Sequence, residues 1–82
     1  MAAAVVMRLQ GVVSREIAGG ETAVVTVGTL HAGTKVNIIP DDAVLEISVR
    51  TYDVHVRARV LAAIGRIVNA EAAASGAQQA PD

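Results

Sequence analysis

Residues 22–53 read TAVVTVGTLHAGTKVNIIPDDAVLEISVRTYD, and the pattern within this stretch decides the fold. Both halves are rich in β-branched side chains, which suit a pleated, half-buried surface. The first half predicts a strand over 22–31, with Val25 and Val27 on one face and Val24 and Leu30 on the other. Over 43–51 the alternation is clean. Leu45, Ile47 and Val49 point one way, while Glu46, Ser48 and Arg50 point the other. Ala32-Gly33-Thr34 and Pro40-Asp41-Asp42 carry turn chemistry, and between them the short run 36–39 is expected to be extended.

Helices flank this hairpin on both sides. Over residues 3–17, Val5, Val6, Leu9, Val12, Val13 and Ile17 recur at helical spacing, with Arg8, Gln10, Arg15 and Glu16 mostly on the other side. Gly19-Gly20 supplies the stop. Gly11 sits inside the pattern and costs about 1 kcal/mol against alanine, so a close neighbour is expected there. Downstream, Asp53 is a suitable N-cap for a helix running to about Ser75, with Val56, Val60, Ile64, Ile67 and Val68 on its apolar stripe. Gly76 closes it, and the tail is expected to fray.

The order is helix, strand, strand, helix. Two strands alone bury little, and the pattern matches the middle of a split βαββαβ sandwich whose outer strands fall outside the chain. The predicted class is α+β: a truncated ferredoxin-like αββα unit, an antiparallel sheet with two helices packed on one face. The expected organisation is one domain over 1–82, with a first helix over 1–18, the hairpin region over 22–51, a second helix over 53–75 and a tail over 76–82.

Composition narrows the function. The 82 residues carry seven Lys or Arg against eight Asp or Glu, for a net charge of −1. That balance, with one tyrosine and neither phenylalanine nor tryptophan, argues against a nucleic-acid binder, which would show a basic stripe and stacking aromatics. Without cysteine there is no disulfide framework, thiol nucleophile or cysteine-ligated metal. MAAAVV is too brief for a signal sequence or a membrane span, so the expectation is a cytoplasmic protein without membrane contact.

Few residues suit chemistry. His31 and His55 lack metal-ligand spacing and read as a loop histidine and a solvated helix histidine. Asp41 and Asp42 beside Pro40 read as turn residues. Ser14, Ser48 and Ser75 have no nucleophile context, and Gly28 and Gly33 form no phosphate loop. Arg57 and Arg59 read as solvated or as reaching a partner. By its own residues the chain is not a self-sufficient enzyme. Three residues still stand out: His31, Asn37 and Arg50. Arginine offers a planar fork matched to a carboxylate, and asparagine one donor and one acceptor. On chemistry alone, a solvent-facing arginine and a turn-forming asparagine are the plainer explanation.

Three motifs shift that balance. They are Gly28-Thr29-Leu30-His31-Ala32-Gly33, Asn37-Ile38-Ile39-Pro40-Asp41 and Val49-Arg50-Thr51, preceded by MRLQGVVSREI over residues 7–17. Together they resemble the lid, or dimerisation, domain of the metal-dependent amidohydrolases and peptidases that include aminoacylases, glutamate carboxypeptidases and auxin-conjugate hydrolases. The resemblance spans about residues 5–75. It implies a parent hydrolase whose catalytic domain holds two divalent metal ions, usually zinc, outside this chain. It also implies subunit association through sheet edges, as a homodimer or larger assembly, and substrate contacts from Asn37 and from Arg50, the arginine to a terminal carboxylate. His31 matches a position often held by histidine in one branch, without a definite role. Val36 departs from that branch, where another histidine commonly precedes the asparagine. The alternative is a free-standing ferredoxin-like module that binds a small regulatory molecule; such a module should encode four strands.

Overall fold

The computed structural model describes residues 1–12, 22–40, 42–77 and 81. Its order is α1 (Ala2–Gly11), β1 (Ala23–Ala32), β2 (Ala43–Thr51) and α2 (Val54–Ala74). The two strands pair antiparallel, and both helices lie against the same side of the hairpin, as an α+β truncated ferredoxin-like unit requires. The expected end of the first helix at Gly19-Gly20, Asp41 in its turn, and most of the tail lie outside the described residues.

Each helix buries the stripe its spacing implies. On α1, Val5 and Leu9 are buried, and Val12, still helical in backbone, continues the stripe. On α2, Val56, Val60, Ala63 and Ile67 are buried, with Ile64 and Val68 half-buried beside them. These side chains meet Ala23, Val25 and Val27 of β1 and Leu45, Ile47 and Val49 of β2. Burying each Val or Leu stabilises by about 1.5–3 kcal/mol relative to leaving it wet. No aromatic helps: Tyr52 is 93% exposed. The inner sheet residues are mostly only half-buried, because two helices face a sheet just two strands wide.

α2 has well-defined ends. Asp53 is extended, and its carboxylate accepts from the His55 backbone N–H at 2.7 Å. At the far end Gly76 takes φ +71, with Gly76 N–H donating to Ala73 O and Ala77 N–H to Ala72 O. That pair of bonds is a Schellman closure.

Two expectations need correction. Leu30 does not share a face with Val24. Pairing runs Val27 to Ile47 and then Thr29 to Glu46, so Gly28 is an extra residue in β1, a β-bulge. The slip inverts the alternation beyond it, setting Leu30 across from Leu45 on the helix side and Thr29 and His31 on the open side. Likewise the run 36–39 is not extended. Ile38 N–H donates to Lys35 O at 3.3 Å, making a turn about Val36 and Asn37. Nothing pairs with this run among the described residues, so its β-branched side chains find no sheet to join.

Candidate functional site in the open sheet face and hairpin loop

The sheet face turned away from the helices is a ladder of cross-strand pairs. From one end it runs Val24 with Arg50, Thr26 with Ser48, Thr29 with Glu46, and His31 with Val44. Six of these eight residues are polar, and no described helix covers them. Thr29 Oγ1 donates to Glu46 Oε1 at 2.8 Å. Arg50, across from Val24, has no ion-pair partner among the described residues. One ion pair among the described residues joins Arg8 Nε and Glu71 Oε1 at 2.9 Å, linking the two helices on the opposite side of the sheet.

The three residues singled out from sequence are not gathered within one chain. His31 lies in β1 rather than in a turn, on the same face as Arg50 but at the opposite end. Arg50 lies six residue steps along the strand from His31's partner Val44, about 20 Å at 3.3 Å per step. Asn37 is exposed in the connecting loop. That loop is shaped by Gly33, which adopts φ +83; a Cβ there would lie 3.7 Å from Pro40, so the backbone angle rather than space calls for glycine. Beneath the loop is an open depression of about 490 Å³ lined by His31, Gly33, Ile38, Ile39, Pro40 and Asp42, among others. The loop also carries apolar side chains in full contact with water, Val36 at 109% and Ile39 at 91% exposure. Glu46 and Thr29 escaped the sequence reading. Alternation set Glu46 beside Arg50, but the Thr29 contact depends on the bulge register.

Among the described residues, no group of three or more His, Cys, Asp or Glu is placed to hold a metal ion, and no helix is long and apolar enough to cross a membrane. Among the described residues, then, the sheet is two strands wide, its open face is polar and the hairpin loop is exposed and apolar. The model of the Peptidase dimerisation domain matches residues 6–75, and the chain belongs to that family. This does not favour the free-standing regulatory module.

The relatives agree. The chain is 40% identical over 74 residues to N-acetylcysteine deacetylase of Bacillus subtilis, covering 90% of this chain and 20% of that protein. It is 38% identical over 61 residues to Thermostable carboxypeptidase 2 of Saccharolobus solfataricus, covering 74% and 16% respectively. It is 41% identical over 63 residues to N-acetyldiaminopimelate deacetylase of Brevibacillus brevis, covering 77% and 17%. The chain thus spans a fifth or less of the length of these curated relatives.

Proposed function

We propose that this domain caps the active site of an amide-cleaving hydrolase, joins two copies of that hydrolase, and holds the substrate's carboxylate through Arg50. The observation that carries this is Arg50 itself: an arginine without an ion-pair partner among the described residues, on an open face backed by the helix layer. Its guanidinium fork matches a carboxylate in two parallel hydrogen bonds. The relatives' names fit such a ligand, since carboxypeptidases and deacetylases of amino acids handle carboxylate-bearing molecules. Asn37, in the loop, is assigned a hydrogen-bonding contact to the same substrate, with His31 as a third candidate. Because these residues lie at separate places on one chain, the reading requires a cleft contributed by other parts of the protein.

The metal chemistry belongs elsewhere. The two divalent ions implied by the family resemblance, zinc by preference, are assigned to the catalytic domain. The described residues of this chain do not form a ligand set, so no step here runs through a metal. Association is assigned to the sheet edges, where each strand of the two-stranded sheet has one side without a neighbour among the described residues.

The test uses the full-length hydrolase. Arg50→Ala should raise KM for carboxylate-bearing substrates by about 1.5–3 kcal/mol, the range for a hydrogen bond to a charged group. The corresponding carboxamides should change much less. Equal losses on acid and amide would remove Arg50 from carboxylate recognition.

A further inference from the structure

The bulge at Gly28 needs a cause. In a regular ladder the Val27–Ile47 pair would be followed by Gly28 with Glu46, Thr29 with Leu45, Leu30 with Val44 and His31 with Ala43. The observed pairs are Thr29 with Glu46, Leu30 with Leu45 and His31 with Val44. The two registers differ by one residue, and a one-residue slip sends every later side chain of β1 to the other face. The bulge also leaves Gly28 out of the ladder, which costs backbone pairing.

Glycine does not account for it. Gly28 has no positive φ, and a Cβ built there would meet no neighbour nearer than Glu46 O at 3.8 Å, an ordinary contact. Apolar contact does not choose either. Leu30 faces Leu45 in the observed register, would face Val44 in the regular one, and stays exposed even on the helix side. What differs is a hydroxyl. Thr29 Oγ1 donates to Glu46 Oε1 at 2.8 Å, directly after the bulge. In the regular register Glu46 would face Gly28, which has no hydroxyl, and Thr29 would turn to the helix side beside Leu45. A hydrogen bond to a carboxylate is stronger than one between neutral groups.

We propose that Thr29 and Glu46 are positioning residues: their hydrogen bond selects the bulged register and so sets where His31 and the Asn37 loop stand. His31 is held on the open face, and the loop leaves the strands at Ala32 and Ala43. In the regular register His31 would face the helices, and Ala32 would pair with Asp42 instead. The consequence for activity rests on the Asn37 assignment made above; the choice of register does not.

The test uses the full-length hydrolase with paired cysteines, whose disulfides are identified by peptide mass. His31→Cys with Val44→Cys reports the bulged register, and His31→Cys with Ala43→Cys the regular one. The first pair should close and the second stay open. Thr29→Val and Glu46→Ala should each move the ratio of the two yields about tenfold toward the second, as for one hydrogen bond to a charged group. Both changes together should move it no further. Thr29→Ser, which keeps the hydroxyl, and Gly28→Ala should leave it in place. A ratio unmoved by Thr29→Val, or moved by Gly28→Ala instead, overturns the proposal. Without the added cysteines, Thr29→Val should raise KM and Thr29→Ser should restore it. Adding Asn37→Ala to Thr29→Val should cause little further loss, because one residue acts through the other. Fully additive losses overturn the positioning role. If Asn37→Ala alone changes nothing, the substrate reading of the loop fails, while the disulfide ratio still decides the register.

Discussion

At Asp53 the chain leaves an extended strand and enters a helix, and a single carboxylate stabilises the change of direction. The hydrogen bond from the His55 N–H is the main reason its pKa lies below the ordinary aspartate value of 3.8, with the Val56 N–H helping. A carboxyl group whose pKa is depressed on folding stabilises above its unfolded value. It loses that contribution as pH falls through the lower folded value. Asp53→Ala should therefore lower the thermal midpoint at neutral pH, and the gap from wild type should close only as pH drops below 3.8. Circular dichroism melts across that range check this; a gap that persists in strong acid would assign the effect to backbone propensity instead. In the core, Leu9 is 2% exposed, and Leu9→Ala should cost about 2–5 kcal/mol in urea unfolding. Arg8→Ala, which breaks the surface pair with Glu71, should cost no more than about 1 kcal/mol. Asp53 and Leu9 were legible in sequence because a cap and an apolar period are local. The Thr29–Glu46 bond was not, because it depends on which residue of another strand lies opposite.

The helices were the most readable elements. Their apolar spacing alone put Val5, Leu9, Val56, Val60 and Ile67 inside, and Gly76 marked the end of α2. At Gly76 the left-handed angle is intrinsic to the closure, and a Cβ added there would meet nothing within 4 Å. Gly76→Ala should thus destabilise by about 1 kcal/mol through backbone strain alone, with Gly76→Asn milder. Thermal denaturation of the three proteins separates strain from crowding. The strands were only partly readable. Counting by twos through Gly28 misplaces Leu30, because a bulge arises from backbone pairing and leaves no compulsory side-chain signature. The run 36–39 misled for a related reason: its β-branched residues favour a strand only if a neighbour exists to pair with. The place of Arg50 on the open face was within reach of the sequence, because β2 alternates cleanly; that of His31 was not, because counting by twos from Val25 puts it on the helix side and only the bulge moves it across.

A two-stranded sheet carrying two amphipathic helices leaves much of its work to other surfaces. Among the described residues each strand has one side without a neighbour, and unpaired backbone donors and acceptors of this kind invite further strands. Expressed alone, the domain should self-associate by sheet-edge pairing, giving a dimer or larger species in sedimentation at tens of micromolar. A stable monomer across that range would refute edge pairing. The isolated domain should also retain no stoichiometric zinc after dialysis, since the unclustered His31 and His55 offer no ligand set. Bound zinc measured by plasma emission would overturn that expectation.

The bulge at Gly28 has a mechanical side. Bulges increase the local right-handed twist of a hairpin, so the part beyond Gly28 is turned relative to the part beneath the helices. On the near side, Val25, Val27, Ile47 and Val49 rest on the core; on the far side Leu45 is the last to touch it, and its partner Leu30, although on the helix-facing surface, is 45% exposed. The hairpin is therefore an anchored base with an overhanging arm, and the arm carries His31 and, at its tip, the loop holding Asn37. Opening such an arm costs less than opening the base, because fewer buried contacts break. Amide protons of residues 29–32 should therefore exchange with deuterium well before those of 23–27.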